Sequence, residues 1–221
     1  MGIRMKAIVL GGTSGIGKAI SKRLKKHCKK MIAVGSKEIN TKSIESVEKF
    51  ISKNKGPNIL VLNTGGPPDI KFNKITDEMW LENFSKLFLS FSKIIKEINV
   101  KENGYIFLIS SYIIKQPGTE LIISSSIRSG FSTLFKTLSK LYQKKNISFI
   151  NIAPGPIKTK RLLNLIKKDN ISLSQFEKSM PGNKIPDPDE IGLFVEFIVK
   201  NKIKSLNGVT IPFDSGLSDY I

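Results

Sequence analysis

Cysteine and histidine are nearly missing from this chain of 221 residues, with Cys28 and His27 their only representatives. One thiol closes no internal disulfide, and so few soft ligands leave no cysteine/histidine metal cluster to build. Acidic residues are also scarce, 18 against 36 basic ones, for a formal net charge of +18. Within that excess arginine is rare: Arg4, Arg23, Arg128 and Arg161 stand alone among lysines. Proteins that read nucleic-acid bases favour the fork-shaped donors of arginine. The excess therefore reads as solvated lysine faces, and nucleic acid is the least favoured partner, while an acidic protein partner stays open. No apolar run approaches the roughly 20 residues of a membrane-spanning helix, so no membrane is expected as a partner. The opening MGIRMKAIVLGG is too short and glycine-broken for a signal peptide. Lys6 stands where an N-myristoylation motif at Gly2 requires Ser or Thr. A cytoplasmic location is expected.

What is present begins with Ala7–Leu10, a short apolar run of the kind that forms a strand buried on both faces. Gly11, Gly12, Gly15 and Gly17 follow, and then Ile16, Ala19, Ile20 and Leu24 share one helical stripe. Strand, glycine turn and helix is an arrangement that binds a dinucleotide. The turn must bend sharply and approach a pyrophosphate with no Cβ in the way, and the helix start offers unpaired N–H groups. Further strands are expected at Met31–Val34, Ile59–Leu62, Tyr105–Ile109, Ile147–Ile152 and Gly208–Pro212. Helices are expected over Gly15–His27, from Ile44 to the Gly56-Pro57 stop, and over Asp77–Ile98, Ser124–Tyr142, Lys160–Lys168 and Pro188–Lys200, with a polar loop after Lys168. Alternating strands and helices imply a parallel sheet covered on both faces, and the length suits one domain over residues 1–221. The expected fold is a Rossmann-like, doubly wound α/β domain.

The glycine spacing G-x-x-x-G-x-G at Gly11, Gly15 and Gly17 resembles the short-chain dehydrogenase/reductase family, although Leu10 stands where that family has Thr. The likeness continues at Asn63-Thr64-Gly65-Gly66, Ser111, Pro154-Gly155-Pro156-Ile157-Lys158-Thr159 and Asp214-Ser215-Gly216. It implies a nicotinamide cofactor held by Gly11, Thr13, Ser14, Gly15, Ile16, Gly17, Asn63, Thr64, Gly65, Pro154, Gly155, Ile157 and Thr159. After the second strand the chain offers Ser36-Lys37 rather than an acidic residue, a hydroxyl and a cation suited to a 2′-phosphate, so NADP(H) is the expected cofactor. The following connection is short. Ile39-Asn40-Thr41 stands in for the family's third strand, which would make Asn40 the adenine partner, and six strands are expected.

Catalysis departs from the family. The resemblance places the catalytic serine at Ser111, but its tyrosine falls on Ser124, its lysine on Arg128 and its asparagine on Leu87. Arg128 does not deprotonate, so it binds or stabilises charge rather than relaying protons. Tyr112 and Lys115 are substitute acids by nearness alone; a residue beside Ser111 on an extended strand is expected to point away from it. Asn-Thr-Gly-Gly-Pro-Pro together with Ser-x-x-x-Arg resembles a divergent branch described as 3-oxoacyl-acyl-carrier-protein reductase-like. The expected activity is hydride transfer to or from a carbonyl or alcohol, small or carrier-bound. The alternative is a catalytically impaired homologue that binds cofactor as a sensor or scaffold. The resemblance also implies a homodimer or homotetramer pairing the two long helices, and a substrate lid over Arg161–Pro186 with no diagnostic residues.

Overall fold

The structure is a computed structural model and describes residues 5–220. The reading at Gly2 lies outside the described residues. Six strands, β1 (Met5–Leu10), β2 (Cys28–Val34), β3 (Ile59–Leu62), β4 (Tyr105–Ile109), β5 (Ser148–Pro154) and β6 (Val209–Phe213), form one sheet of order β2-β1-β3-β4-β5-β6. Every pairing is parallel. The period-two alternation of strand side chains splits the core in two. Ile8, Leu60, Ile106 and Phe149, in register across the sheet, face α2 (Ile44–Asn54), α4 (Ser90–Glu97) and α5 (Ile122–Leu141). Their neighbours Ala7, Ile59 and Tyr105 face α1 (Gly15–Leu24) and α8 (Pro188–Lys200). The sheet is thus covered on both sides, as its apolar strands require.

Several boundaries differ from expectation for visible reasons. β2 begins at Cys28 rather than Met31, because an edge strand accommodates the exposed Lys29 and Lys30. α1 stops at Leu24 and tightens into a 3₁₀ turn over Lys25–His27. Ile39-Asn40-Thr41 forms no strand; Ile39 and Thr41 are buried in a loop, and the sheet still has the expected six. The long helix expected over Asp77–Ile98 is α3 (Asp77–Phe84) and α4 joined by a π-helical stretch at Ser85–Leu89. α5 starts at Ile122, two residues before Ser124. Beyond α6 (Lys160–Lys168), the expected polar loop contains α7 (Leu173–Lys178), entered through a capping box of Ser172 and Gln175.

Candidate active site

β1 pairs with β2 on one side and β3 on the other, so the chain leaves β1 in one direction and returns on the opposite flank. That reversal opens a crevice at the carboxyl ends of the strands, the place where open α/β sheets hold ligands. The glycine turn forms one wall. Gly11 has φ +60°, and its carbonyl accepts a hydrogen bond from Asn63 Nδ2 at 3.3 Å. A Cβ on Gly17 would sit 2.1 Å from the Gly11 carbonyl oxygen, so only glycine lets α1 start this close to the turn. Ser14 caps α1 in an extended conformation without a side-chain hydrogen bond, and no acidic residue stands in the first turn. The opening N–H groups of α1 therefore have no side-chain partner. They are donors set for a phosphate.

Two adjoining cavities follow the crevice, about 420 and 360 Å³, and share Gly11, Ser14, Asn63, Thr64 and Gly65. The larger one brings together Gly15, Ile16, Pro154, Gly155, Ile157 and Thr159 with Ser111, Ser124 and Arg128. The smaller one takes Thr13, Ser36 and Asn40. Gly17 supports the turn and lines neither. Lys37 is exposed and also lines neither cavity, and the cations on the smaller one are Lys42 and Lys86. Lys86 belongs to the π-helical stretch and is half-buried. Burial first, and then the charges of Lys42, Arg161 and Arg128, push its ammonium down to about 8. The turn after β2 also holds an acid, Glu38, two residues beyond the Ser36 position. It accepts from the Gly35 N–H at 2.7 Å and is spent inside the turn.

Arg128, the basic residue in the lysine position of the family, is 8% exposed. Its Nη1 donates to the carbonyls of Ile109 and Ser110 at 3.3 and 3.4 Å, and its Nη2 to that of Thr64 at 3.4 Å. The guanidinium thus ties the end of β4 to the loop after β3. Burial, aided by the charge of Arg161, pulls it down to about 10. Its Nε donates to Ser124 Oγ at 3.2 Å. A hydroxyl oxygen that accepts from a cation keeps its own proton to donate, so Ser124 is a polarised donor. Ser111 lines the same cavity.

The expectation that Tyr112 points away from Ser111 assumes an extended strand, which the chain does not continue here. Ser111 leads into a 3₁₀ turn over Tyr112–Ile114 instead of continuing a strand, and both residues line the cavity. Burial, and then the charge of Asp214, raise the Tyr112 phenol above its ordinary value. Lys115 takes no part and lies over the Tyr220 ring, 5.1 Å from its centroid. Leu87 is buried against Ile123 and Ile127, so carbon fills the position that the resemblance gives to asparagine. The buried Asn83, one turn earlier, bonds the Met79 carbonyl and lines neither cavity. Arg161, which no motif singles out among the basic residues, reaches across the crevice from α6 and donates to the carbonyls of Gly66 and Pro67 at 3.2 and 3.1 Å.

Comparison with known proteins agrees with this architecture. A family model described as enoyl-(acyl carrier protein) reductase matches residues 39–218. The chain is 24% identical to the 3-oxoacyl-[acyl-carrier-protein] reductase of Buchnera aphidicola over 97% of both sequences. A short-chain dehydrogenase family protein from Francisella tularensis superimposes with a TM-score of 0.86 at 23% identity, covering 97% of this chain and 98% of that one. A short-chain dehydrogenase from Burkholderia cenocepacia in complex with NADP superimposes with a TM-score of 0.82 at 18% identity, covering 97% and 99%. With a family model spanning most of its length and a superposable fold, the chain belongs to the short-chain dehydrogenase/reductase family of oxidoreductases.

Proposed function

We propose that the protein is an NADP(H)-dependent reductase of a carbonyl compound, acting reversibly on the corresponding alcohol. The observation that carries this reading is the start of α1, free of any side-chain capping hydrogen bond under the Gly11–Gly17 turn, continuous with a cavity lined by Ser111, Ser124, Tyr112 and the buried Arg128. The pyrophosphate would lie on the N–H groups of α1, with Asn63, Thr64 and Gly65 on one side and Pro154, Gly155, Ile157 and Thr159 on the other. Lys86, Ser36 and Lys42, the last ion-paired with Glu82, would supply the positive and hydroxyl groups for the adenosine phosphate, and the Burkholderia relative, solved in complex with NADP, supports that cofactor. Bound cofactor supplies or receives the hydride.

The side chains handle the oxygen. Ser111 and Ser124 donate hydrogen bonds to the carbonyl oxygen, and Arg128 behind Ser124 stabilises the negative charge that develops there. Tyr112 stays protonated through neutral pH and gives the proton that completes the alcohol; water restores it. This replaces the family's tyrosine and lysine with a different acid and a fixed cation. Carrier-bound 3-oxoacyl thioesters belong in the substrate trial because the Buchnera relative is named for them. The test is NADPH oxidation over a carbonyl panel. Wild type turns over at least one class, Ser111→Ala lowers kcat about 100-fold or more, and Tyr112→Phe lowers it with NADPH affinity intact. Tight NADPH binding with no turnover on any carbonyl class would instead favour the sensor or scaffold reading, in which the missing tyrosine and lysine mean lost chemistry.

A further inference from the structure

Arg128 and Arg161 come from different elements, α5 and α6, and meet at one point of the larger cavity. A Cβ added to Gly66 would lie 3.5 Å from Arg128 Nη2, from Arg161 Nη2 and from Ser124 Oγ alike. Each Nη2 spends one proton on a backbone carbonyl, Thr64 for Arg128 and Pro67 for Arg161, and keeps a second proton for another acceptor. Among the described residues neither guanidinium is ion-paired with a carboxylate. Asp69 lines the same cavity but is exposed and makes no ion pair with either. A buried charge without a counter-ion is costly, and the fold keeps this one beside a second cation. The residue type adds an independent argument. Only four of the 36 basic residues are arginine, and two of those four bring an Nη2 to the same point beside Gly66. Lysine would serve for diffuse charge; arginine is needed where a planar anion is gripped by paired donors.

The geometry points to a substrate carboxylate: we infer that Arg128 and Arg161 form an anion clamp for an oxo acid whose free carboxylate lies one or two carbons from its carbonyl. This rests on the proposed reductase reading and narrows its substrate class. The spacing follows from Ser124, which touches the clamp through Arg128 Nε and which, in the proposed reading, shares the substrate oxygen with Ser111. A carboxylate held by the two Nη2 groups therefore leaves a neighbouring carbonyl beside the serines. Phosphate of the cofactor is the rival occupant, since a Cβ added to Gly65 would also lie 3.2 Å from Arg161 Nη1; it fits less well because the start of α1 already offers that phosphate its own donors. The side chain packed over that start is Thr159, which a Cβ added to Gly15 would meet at 3.2 Å, and not Arg161.

The experiment uses the NADPH-loaded protein with 2-oxobutanoate and 3-oxobutanoate, each against its methyl ester. Binding is read by calorimetry, and turnover, where present, as KM. The expected result is that at least one acid binds ten-fold or more tighter than its ester. Arg161→Met brings that ratio close to one, Arg161→Lys restores part of it, and NADPH affinity changes less than three-fold in both variants. A purely structural strap would weaken acid and ester together and leave the ratio alone. The inference is overturned if acid and ester bind equally, if neither binds, or if Arg161→Met weakens NADPH ten-fold while preserving the ratio, which would assign the clamp to cofactor phosphate. Reduction of the ester as efficiently as the acid sinks the clamp while leaving the reductase standing. Failure of NADPH itself to bind is seen before any acid is added, and brings down both.

Discussion

At the scale of single residues, the crevice is governed by where positive charge has been placed and what surrounds it. Lys86 is the clearest case. Burial and the neighbouring cations push its ammonium down to about 8, and a bound phosphate would favour its charged form and raise that value. Binding then takes up a proton at pH values between the two. Affinity for NADPH is expected to be full near pH 7 and to weaken as pH rises through about 8. In Lys86→Met the fall over that window should largely vanish, with a lower plateau, as titration calorimetry at several pH values would reveal. A pH-independent wild-type Kd would mean that Lys86 does not face the cofactor. The glycines of the turn were legible because Gly11 and Gly17 answer a backbone need that any reader of spacing can see. Lys86 and Arg161 were not, because a cation among 36 basic residues carries no mark of its direction, and only the packed structure supplies one.

Elements were legible wherever apolar periodicity was strong. β3, buried on both faces, and the stripe of Val47, Phe50 and Ile51 on α2 follow from hydrophobic pattern alone. What escaped was local: a π-helical stretch inside an otherwise continuous stripe, and α7, none of whose residues is fully buried. The capping pair Ser172 and Gln175 was the one available signal for the latter. The packing of α1 on α8 gives a direct test at this scale. Gly192 of α8 sits so close to α1 that an added Cβ would lie 3.0 Å from the Ala19 carbonyl oxygen. Around that contact Arg23 pairs with Asp189, and His27 bonds Glu196 at 2.6 Å. Gly192→Val should push the helices apart and cost about 1–3 kcal/mol by overpacking, readable as a lower denaturant midpoint. Because α1 carries the phosphate donors, NADPH affinity should fall as well. An unchanged midpoint would show that the two helices slide freely.

Across the whole molecule, exposed carbon and net charge set how copies meet. Leu81 (70% exposed), Phe84 and Leu89 lie along the run from α3 to α4, and Leu141 stands exposed at the end of α5. A homodimer or homotetramer through these helices is expected, with sedimentation giving about two or four times the chain mass and Leu81→Glu shifting it toward monomer; a monomeric wild type would contradict this. The net charge of +18 opposes such pairing at low ionic strength, so association should strengthen with salt. The sheet order also decides where all the chemistry converges, since the reversal beside β1 is what opens the crevice. Cofactor, clamp and oxygen site alike depend on the start of α1 holding a phosphate. The most direct test is the NADPH affinity of wild type beside Gly17→Ala, with folding of both checked by far-ultraviolet circular dichroism. Wild type is predicted to bind NADPH at micromolar or tighter Kd, and a folded Gly17→Ala to lose at least ten-fold. A folded wild-type protein with no affinity for either nicotinamide cofactor would contradict the account.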